Sequence, residues 1–417
     1  MSKHTFFQLD WFSILLVVIL IGFGWGNIYS TTVTDANADI LDFSKIYGKQ
    51  ILWIVMGFFL VIVVLSVEVK FYERFANAFY LIALLSLLGL LFFGKTIAGQ
   101  TAWYSFGSFS IQPAEFVKAT VALAMAKYLS GINVNLKRFK DQLQAFIIIL
   151  LPILLIMLQP DAGSALIYLS FAIPLYREGL PHWYLTVAIL AGVLFVLTLK
   201  FGFVIVSSAL ALLLTLAYLL NKSKKKSLGS YIFSALIAIG FSFSVSFMFN
   251  KVLLPHQQDR FDVLLEDDID IKGTAFNLYQ SQVAIGSGGS TGKGWLKGTQ
   301  TQGRFVPEQH TDYIFSTVGE EWGFLGTSII VILFATLLLR LYFIAERQKS
   351  QFNRVFGYSV FGILFFHFFV NIAMVIGLFP TVGIPLPFFS YGGSGLWGFL
   401  ILIFIFLKLD AKRISLN

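Results

Sequence analysis

The sequence is dominated by apolar stretches that are each about as long as a bilayer is thick. A spanning helix needs about 20 mostly apolar residues, and the chain has twelve candidate spans, eleven of them clear and the fourth carrying charge. They lie near residues 11–29, 51–67, 75–94, 113–130, 143–160, 162–176, 184–199, 201–220, 230–250, 323–345, 355–379 and 393–409. Charged residues make up only 12% of the 417 residues, which is about half the share found in soluble domains. The sequence therefore predicts an all-α polytopic membrane protein with about twelve transmembrane helices.

The lysines and arginines predict the orientation of these spans. With twelve spans both termini lie on one side, where the connections hold nineteen basic residues, against four in the short connections on the other side. The long segment 251–322 also falls on that other side, but such long loops are exempt from the rule. The nineteen are Lys3, Lys70, Arg74, Lys127, Lys137, Arg138, Lys140, Arg177, Lys222, Lys224, Lys225, Lys226, Arg340, Arg347, Lys349, Arg354, Lys408, Lys412 and Arg413. Because cytoplasmic loops are enriched in basic residues, we expect both termini to be cytoplasmic. The net charge of +8 then reflects orientation and indicates no nucleic-acid partner.

The ends of the chain and its composition limit the possible functions further. The first apolar stretch is long and lacks a small-residue cleavage pattern, so we expect a retained span and not a cleaved signal peptide. The chain has no cysteine, which excludes disulfides, thiolate metal sites and a cysteine nucleophile.

One long polar segment, 251–322, interrupts the apolar pattern. It contains acidic residues at 266–270, a glycine-rich stretch at 286–298 and a second polar cluster after it. A connection of about 70 residues is too long for an ordinary loop and indicates a functional element. The sequence thus predicts nine spans in 1–250, a large extracytoplasmic loop in 251–322, and three spans with a short cytoplasmic tail in 323–417.

Glu115 and Lys118 are ionisable residues inside the fourth apolar stretch. Pro113 suits the first turn of a helix, and a spacing of three residues places the carboxylate and the ammonium on one helix face. Charges inside a membrane are expensive and usually functional. Two interpretations stay open: an ion pair that holds neighbouring helices together, or the wall of a polar cavity that binds a headgroup.

Two predicted outward turns carry further polar residues. Asp161 lies in the turn 159–163, where it either caps the following helix or contributes to a polar site. The turn 380–393 is too rich in proline and glycine to span as a helix. Irregular backbone at membrane depth is tolerated only against protein or a water-filled cavity, so we expect this turn to line a cavity.

The glycine-rich run 286–294 resembles a phosphate-binding loop but fails its pattern. Ser287 occupies the position of a required glycine, and Gly294 follows Lys293 where serine or threonine is needed. The freed backbone amides, with Lys293 and Lys297 nearby, could still receive an anion such as a pyrophosphate. The alternative is a flexible turn between two amphipathic helices.

The segment 307–315 has the residue types most typical of catalysis. His310 and Asp312 are not spaced like a helical metal pair, and the chain has only five histidines, so a zinc site is not expected. A carboxylate at the border between an outer loop and a helix, screened by aromatic residues, suits a general base. The alternative for Asp312 is a simple helix cap.

Together these segments resemble the SEDS family of cell-wall polymerases, in particular its RodA type. The resemblance extends over nearly the whole chain and keeps the family order. The matching segments are 112–118, 159–163, the outer loop from Tyr279 through 284–289 and 292–300 to 307–312, and 383–387 with 390–393.

The resemblance implies a peptidoglycan glycosyltransferase that joins lipid II disaccharides into glycan strands at the outer face of the cytoplasmic (inner) membrane during cell elongation. It implies a class B penicillin-binding protein as a transpeptidase partner, together with other membrane proteins of an elongation complex. Asp312 matches the essential aspartate of the family, which implies that it is the base, while Glu115, Lys118 and Asp161 match functionally important positions. His310, Ser390 and the Gly-Lys-Gly and Pro-Leu-Pro segments are expected to bind substrate or shape the cavity.

The sequence departs from the family at two places. Ala102 precedes Trp103 where relatives commonly have an arginine, so no substrate contact is expected from that position. The family typically has ten spans, and the surplus of two lies within about 184–250, where Lys222–Lys226 form an additional basic inner loop.

The chemistry expected from the resemblance is inverting glycosyl transfer from a donor with a lipid pyrophosphate leaving group, which needs no enzyme nucleophile. Asp312 is predicted to be the base, and Lys293, Lys297 or Arg304 to stabilise the departing pyrophosphate. No cofactor is assigned, and the assistance of a divalent cation, Mg²⁺ or Mn²⁺, is left open. The alternative functions are a transporter or flippase of the same lipid-linked precursor and a scaffold that only recruits a transpeptidase.

Overall fold

The structure of the protein is a computed structural model that describes residues 7–33, 39–97, 99–107, 109–221, 227–252, 255–265 and 275–414. The predicted basic loop at 222–226, the acidic residues at 266–270 and Lys3 lie outside the described residues.

Three long apolar helices begin the fold. Helix α1 spans Trp11–Thr32, α2 spans Ile46–Ser66 and α3 spans Val69–Phe93. The carboxylate of Asp10 caps α1 by accepting a hydrogen bond from the amide of Ser13 at 3.2 Å, which satisfies one of the unpaired amides at a helix start.

A small antiparallel sheet follows α3, and the prediction of an all-helical chain did not include it. Strands β1, β2 and β3 span Lys95–Ile97, Gln100–Phe106 and Phe109–Ile111, with β2 in the middle. Strands of three to seven residues leave no trace in a search for apolar runs of about 20 residues. The amide of Thr101 on β2 donates to the carbonyl of Gln159 at 3.2 Å, which attaches the sheet to the turn at 159–163.

Two helices and a broken segment come next. Helix α4 spans Pro113–Leu129 and α5 spans Phe139–Met157. The chain then continues as α6 (Ala162–Ile167), a 3-10 turn (Tyr168–Phe171) and α7 (Ala172–Arg177).

The contacts divide the chain into two compact units: residues 1–180 with 277–417, and residues 181–276. The second unit contains α8 (Trp183–Leu220), α9 (Leu228–Phe247) with a π-helical turn at Met248–Val252, and α10 (Pro255–Leu265). Helices α8 and α9 pack against each other, yet only 11% of the apolar window of either helix is buried. This unit includes the region 184–250 that carries the predicted surplus of two spans.

Five helices complete the chain: α11 (Phe276–Ser287), α12 (Thr299–Gln302), α13 (Ile314–Glu346), α14 (Gln351–Val375) and α15 (Gly393–Ile414). The apolar windows of α14 and α15 are 67% and 78% buried, against at most 39% in the other long apolar helices. Helix α4 is also mostly buried and contacts both α14 and α15. These three helices form the centre of the first unit, and α4 carries the predicted ion pair into that centre.

Nine of the helices in the described part of the chain are long and apolar enough to cross a membrane. Helix α8 covers two predicted spans, because its 38 residues would extend about 57 Å, well beyond a hydrocarbon core of about 30 Å. It is interrupted at Gly202, whose φ of 79° and ψ of 159° are not helical. Helix α4 has only 17 residues, and the predicted span at 162–176 is broken into three pieces. The helical multi-pass fold is confirmed, while the count of twelve spans and the boundaries 1–250, 251–322 and 323–417 stay predictions.

Candidate active site

Asp312 lies in a compact loop immediately before α13. The amides of Thr311 and Tyr313 both donate to the carbonyl of Glu308, at 3.1 and 3.3 Å, which closes the loop into a turn. Asp312 is half-buried, and the residues that follow it, 313–321, are buried. The carboxylate therefore lies at the border between a polar loop and an apolar helix, as the sequence predicts.

The turn at 380–393 wraps around this loop. The amide of Tyr391 donates to the carbonyl of His310 at 2.9 Å. The hydroxyl of Ser390 donates to the carbonyl of Thr311 at 2.6 Å and accepts a hydrogen bond from the amide of Leu386 at 2.9 Å. Ser390, predicted as a cavity or substrate residue, thus joins the two loops that surround Asp312.

Gly383 lies in the part of this turn that is beside the Asp312 carboxylate. Its φ of +72° is in the left-handed region, and a Cβ at this position would lie 3.2 Å from Asp312 Oδ2. Glycine adopts such a φ without steric cost. The absence of a side chain here leaves room beside the carboxylate.

Helix α14 holds both loops through two polar side chains that sequence reasoning did not single out. The amide nitrogen of Asn371 donates to the carbonyls of Asp312 and Ile384, at 2.8 and 2.7 Å. One turn earlier, Nδ1 of His367 lies 3.2 Å from the carbonyl of Pro385. The sequence contains a pattern that could have identified them: two polar residues four positions apart on a strongly apolar helix lie on one helix face.

Glu115 and Lys118 form the predicted ion pair on α4, at 2.9 Å. Both side chains are buried, at 6% and 1% exposure. Lys118 Nζ also lies 2.9 Å from Nε2 of His367 and 5.1 Å from the centre of the Phe399 ring. The pair is therefore enclosed by protein between α4, α14 and α15.

Asp161 occupies the other outward turn and serves two partners. Its carboxylate caps α6 by accepting from the amide of Ser164 at 3.0 Å and also accepts from Nε2 of Gln112 at 2.9 Å. It is buried. A side chain at Gly163 would collide with the carbonyl oxygen of Val382. The turn with Asp161 therefore touches the same 380–393 segment that surrounds Asp312.

The glycine-rich run packs against the start of α13. The amides of Lys293 and Gly294 donate to the carbonyls of Glu320 and Glu321, at 3.0 and 2.9 Å. Helix α13 is interrupted at Gly323, with φ 64° and ψ −160°, where a side chain would collide with the glycine-rich run. The run is thus a packed element and not the free turn that was the alternative from sequence.

The three predicted leaving-group cations have different surroundings. Lys293 Nζ is 2.7 Å from Glu320 Oε1, a carboxylate with no exposed surface. Lys297 is exposed and forms no ion pair among the described residues. Arg304 is exposed and donates from Nη2 to the carbonyl of Thr32 at 3.4 Å. Only Lys297 and Arg304 have charges that a bound anion could meet without competition from a buried carboxylate.

His310 is half-buried beside Tyr391, with ring centres 5.6 Å apart. Burial lowers the pKa of its imidazole below 6.5, and the charge of Glu308 opposes that shift only in part. The imidazole is therefore neutral at neutral pH.

The described residues do not form a ready metal site. They contain no group of three or more His, Cys, Asp or Glu side chains close enough to hold a metal ion. We therefore derive no step of the reaction through a divalent cation.

Comparison with known proteins assigns the family. The family model for FtsW, RodA and SpoVE, described as cell cycle protein, matches residues 10–240 and 206–414. The peptidoglycan glycosyltransferase RodA of Treponema pallidum is 34% identical over 97% of this chain and 98% of its own length. The peptidoglycan glycosyltransferase MrdB of Escherichia coli is 31% identical over 95% of this chain and 92% of its own length.

Solved structures show the same fold. A chain from a peptidoglycan synthase complex, studied for the coordination of polymerization and crosslinking, matches with a TM-score of 0.71 and 25% identity, over 97% of this chain and 98% of that chain. The rod shape determining protein RodA of Thermus thermophilus matches with a TM-score of 0.63 and 24% identity, over 97% of both chains. The chain therefore belongs to the FtsW, RodA and SpoVE family, and within it to the RodA type.

Proposed function

We propose that this RodA-type peptidoglycan glycosyltransferase extends glycan strands by joining lipid II disaccharides, with Asp312 as the general base. The observation that carries the proposal is that one irregular segment, the turn at 380–393, joins the Asp312 loop to the Asp161 turn. It contacts the Asp312 loop through Ser390 and Gly383, and it contacts the Asp161 turn at Gly163. A half-buried carboxylate beside connected irregular segments is suited to receive a polar substrate at the membrane border.

The reaction is a single displacement. Asp312 accepts the proton of the acceptor sugar's 4-hydroxyl as that oxygen attacks the anomeric carbon of the donor. The bond from that carbon to the lipid pyrophosphate breaks, and the pyrophosphate leaves with the bonding electrons. An α-linked donor is thereby inverted into a β-1,4 product without an enzyme nucleophile.

The leaving pyrophosphate needs positive charge at the same face. Lys297 and Arg304 are exposed cations of the outer loop and supply it by electrostatic stabilisation. Lys293 is less suited to this role, because Glu320 already neutralises it at 2.7 Å.

The orientation and the partner follow from the same reasoning. The excess of basic residues in the loops on the side of the termini supports cytoplasmic termini, with Asp312 at the outer face of the cytoplasmic membrane, where strands are elongated. A class B penicillin-binding protein then crosslinks the product. The match to a chain of a peptidoglycan synthase complex supports a partner of this kind.

The chain's named relatives favour an enzyme over a flippase of the same precursor. The site favours it too, because the irregular polar segments that meet at Asp312 all lie at one end of the buried helices. A transporter needs polar lining that is accessible from both faces.

The test is polymerisation of labelled lipid II by the detergent-purified protein, with glycan polymer scored on a gel. Asp312→Asn should fold and insert normally but form no polymer, while the control Asp42→Asn, at a half-buried aspartate in another loop that bonds Ser44, should polymerise like the wild type. Polymer formation by Asp312→Asn at the wild-type rate would show that Asp312 is not the base. Wild-type protein that moves lipid II across vesicles without forming polymer would favour the flippase.

A further inference from the structure

Two buried side chains on α14 connect the membrane-embedded ion pair to the loop that carries Asp312. Asn371 and His367 are 0% and 2% exposed. Both side chains bond the backbone of the loops, and His367 also bonds Lys118 on the neighbouring helix α4. Asn371 holds the carbonyl of Asp312 itself, together with that of Ile384, and His367 holds the next carbonyl, that of Pro385.

The direction of each hydrogen bond is determined by the groups involved. The carbonyl of Pro385 only accepts, so Nδ1 of His367 carries the proton. Nε2 is then a lone-pair acceptor, and it receives a hydrogen bond from the ammonium of Lys118 at 2.9 Å. The same ammonium donates to Glu115 Oε2 at 2.9 Å. A continuous series of hydrogen bonds therefore runs from Glu115 through Lys118 and His367 to Pro385.

We infer that His367 and Asn371 are positioning residues for the glycosyl transfer: they hold the 384–385 backbone and the Asp312 backbone in one arrangement, and the Glu115–Lys118 pair acts on catalysis by fixing His367. This inference rests on the proposed function of Asp312 as the base. It also favours the first of the two interpretations of the ion pair, in which the pair holds neighbouring helices together. Lys118 joins α4 to His367 on α14, and His367 bonds the 384–385 backbone.

The burial pattern supports a positioning role. Lys118, His367 and Asn371 have almost no exposed surface, so none of them is placed to meet a substrate directly. The amide oxygen of Asn371 has no hydrogen-bond partner in the structure, and an unpaired buried acceptor is costly. An apolar residue would fit the helix without that cost, so the two bonds of the amide nitrogen are the reason for an asparagine here.

Asn371→Leu is the first test, because leucine keeps the volume and removes both hydrogen bonds. The matched control is Asn353→Leu on the same helix, whose amide bonds Gln348 at the far end, at 3.4 Å. We expect Asn371→Leu to lower kcat for lipid II polymerisation by about 100-fold, the loss typical of a catalytic group displaced by about 1 Å. KM should stay within about twofold, because substrate binding is unchanged.

A pH–rate profile separates positioning from general destabilisation. The acid limb reports protonation of the general base. We expect this limb to shift in Asn371→Leu, because the carboxylate moves into different surroundings. Two results would overturn the inference. One is a lower kcat at every pH in Asn371→Leu with the acid limb of the pH–rate profile unmoved, and the other is a kcat equal to that of Asn353→Leu.

Two substitutions at His367 test the hydrogen bond to Pro385. His367→Asn keeps a donor near the position of Nδ1, whereas His367→Gln places its amide near Nε2 and loses the bond to Pro385. We expect His367→Asn to retain at least tenfold more activity than His367→Gln, and equal activities would contradict the inference. A wild-type enzyme without polymerase activity in the same assay would instead refute the proposed function itself.

Discussion

Glu320 and Lys293 form an ion pair at 2.7 Å in which the carboxylate has no exposed surface. The same carboxylate accepts hydrogen bonds from the amides of Gln300 and Thr301, both at 2.8 Å. Glu320 thereby holds the glycine-rich run and the start of α12 against α13. In the sequence Lys293 resembles the lysine of a phosphate-binding loop, but in the fold it is the ion-pair partner of the buried Glu320.

Lys293 and Lys297 should therefore respond differently to neutralisation. Lys293→Met leaves a buried carboxylate without its cation, and we expect it to lower the free energy of unfolding by about 3 kcal/mol, seen as a lower Tm in detergent. Lys297→Met removes an exposed charge, so its effect on unfolding should stay within about 0.5 kcal/mol. Its rate of lipid II polymerisation should nevertheless fall by about tenfold or more.

Arg304→Met provides the comparison for Lys297→Met, since Arg304 is equally exposed and bonds only the carbonyl of Thr32. We expect it to behave like Lys297→Met in both measurements. Polymerisation at the wild-type rate by the double variant Lys297→Met/Arg304→Met would exclude both residues from the leaving-group site. An unchanged Tm in Lys293→Met would contradict the structural role of that residue.

The sequence predicts the parts of this site that are contiguous in the chain. Asp312, Asp161 and the Glu115–Lys118 pair are each placed by a local pattern: a loop before a helix, a cap position, and a three-residue spacing. The contact between Glu115 and Lys118 is confirmed because helical geometry alone brings the two side chains together.

The sequence does not predict contacts that depend on how distant helices pack. His367 meets Lys118 across 249 positions, and Lys293 meets Glu320 across 27 positions. The number of spans is not predicted by local hydropathy for a related reason: α4 and the pieces at 162–177 are shorter than a regular crossing.

His310 should make stability depend on pH. Burial lowers the pKa of the folded-state imidazole below its ordinary 6.5, so the unfolded chain takes up a proton first as the pH falls. The contribution of His310 to the free energy of unfolding is therefore fully present above pH 6.5. It is lost as the pH falls from 6.5 towards the lower pKa of the folded state. We expect the fall in Tm between about pH 7.5 and pH 5.5 to be smaller in His310→Gln than in the wild type. Identical falls would mean that the imidazole is not desolvated as the structure indicates.

Gly383 should be required for catalysis for two reasons: its left-handed backbone conformation and the lack of a side chain beside the Asp312 carboxylate. Gly383→Ala places a methyl group about 3.2 Å from Asp312 Oδ2 at a φ of +72°, so it introduces both backbone strain and a contact with the carboxylate. Gly179→Ala is a matched control, because Gly179 also has a positive φ, +101°, but has no atom within 4 Å of an added Cβ.

Both glycine variants should lose about 1–2 kcal/mol of unfolding free energy from the left-handed backbone. Only Gly383→Ala should also lose kcat, by about tenfold or more, because the methyl group displaces the base and narrows the space for the acceptor hydroxyl. The measurements are thermal unfolding in detergent and lipid II polymerisation at saturating substrate. Equal kcat values in the two variants would show that the Gly383 contact has no part in positioning Asp312.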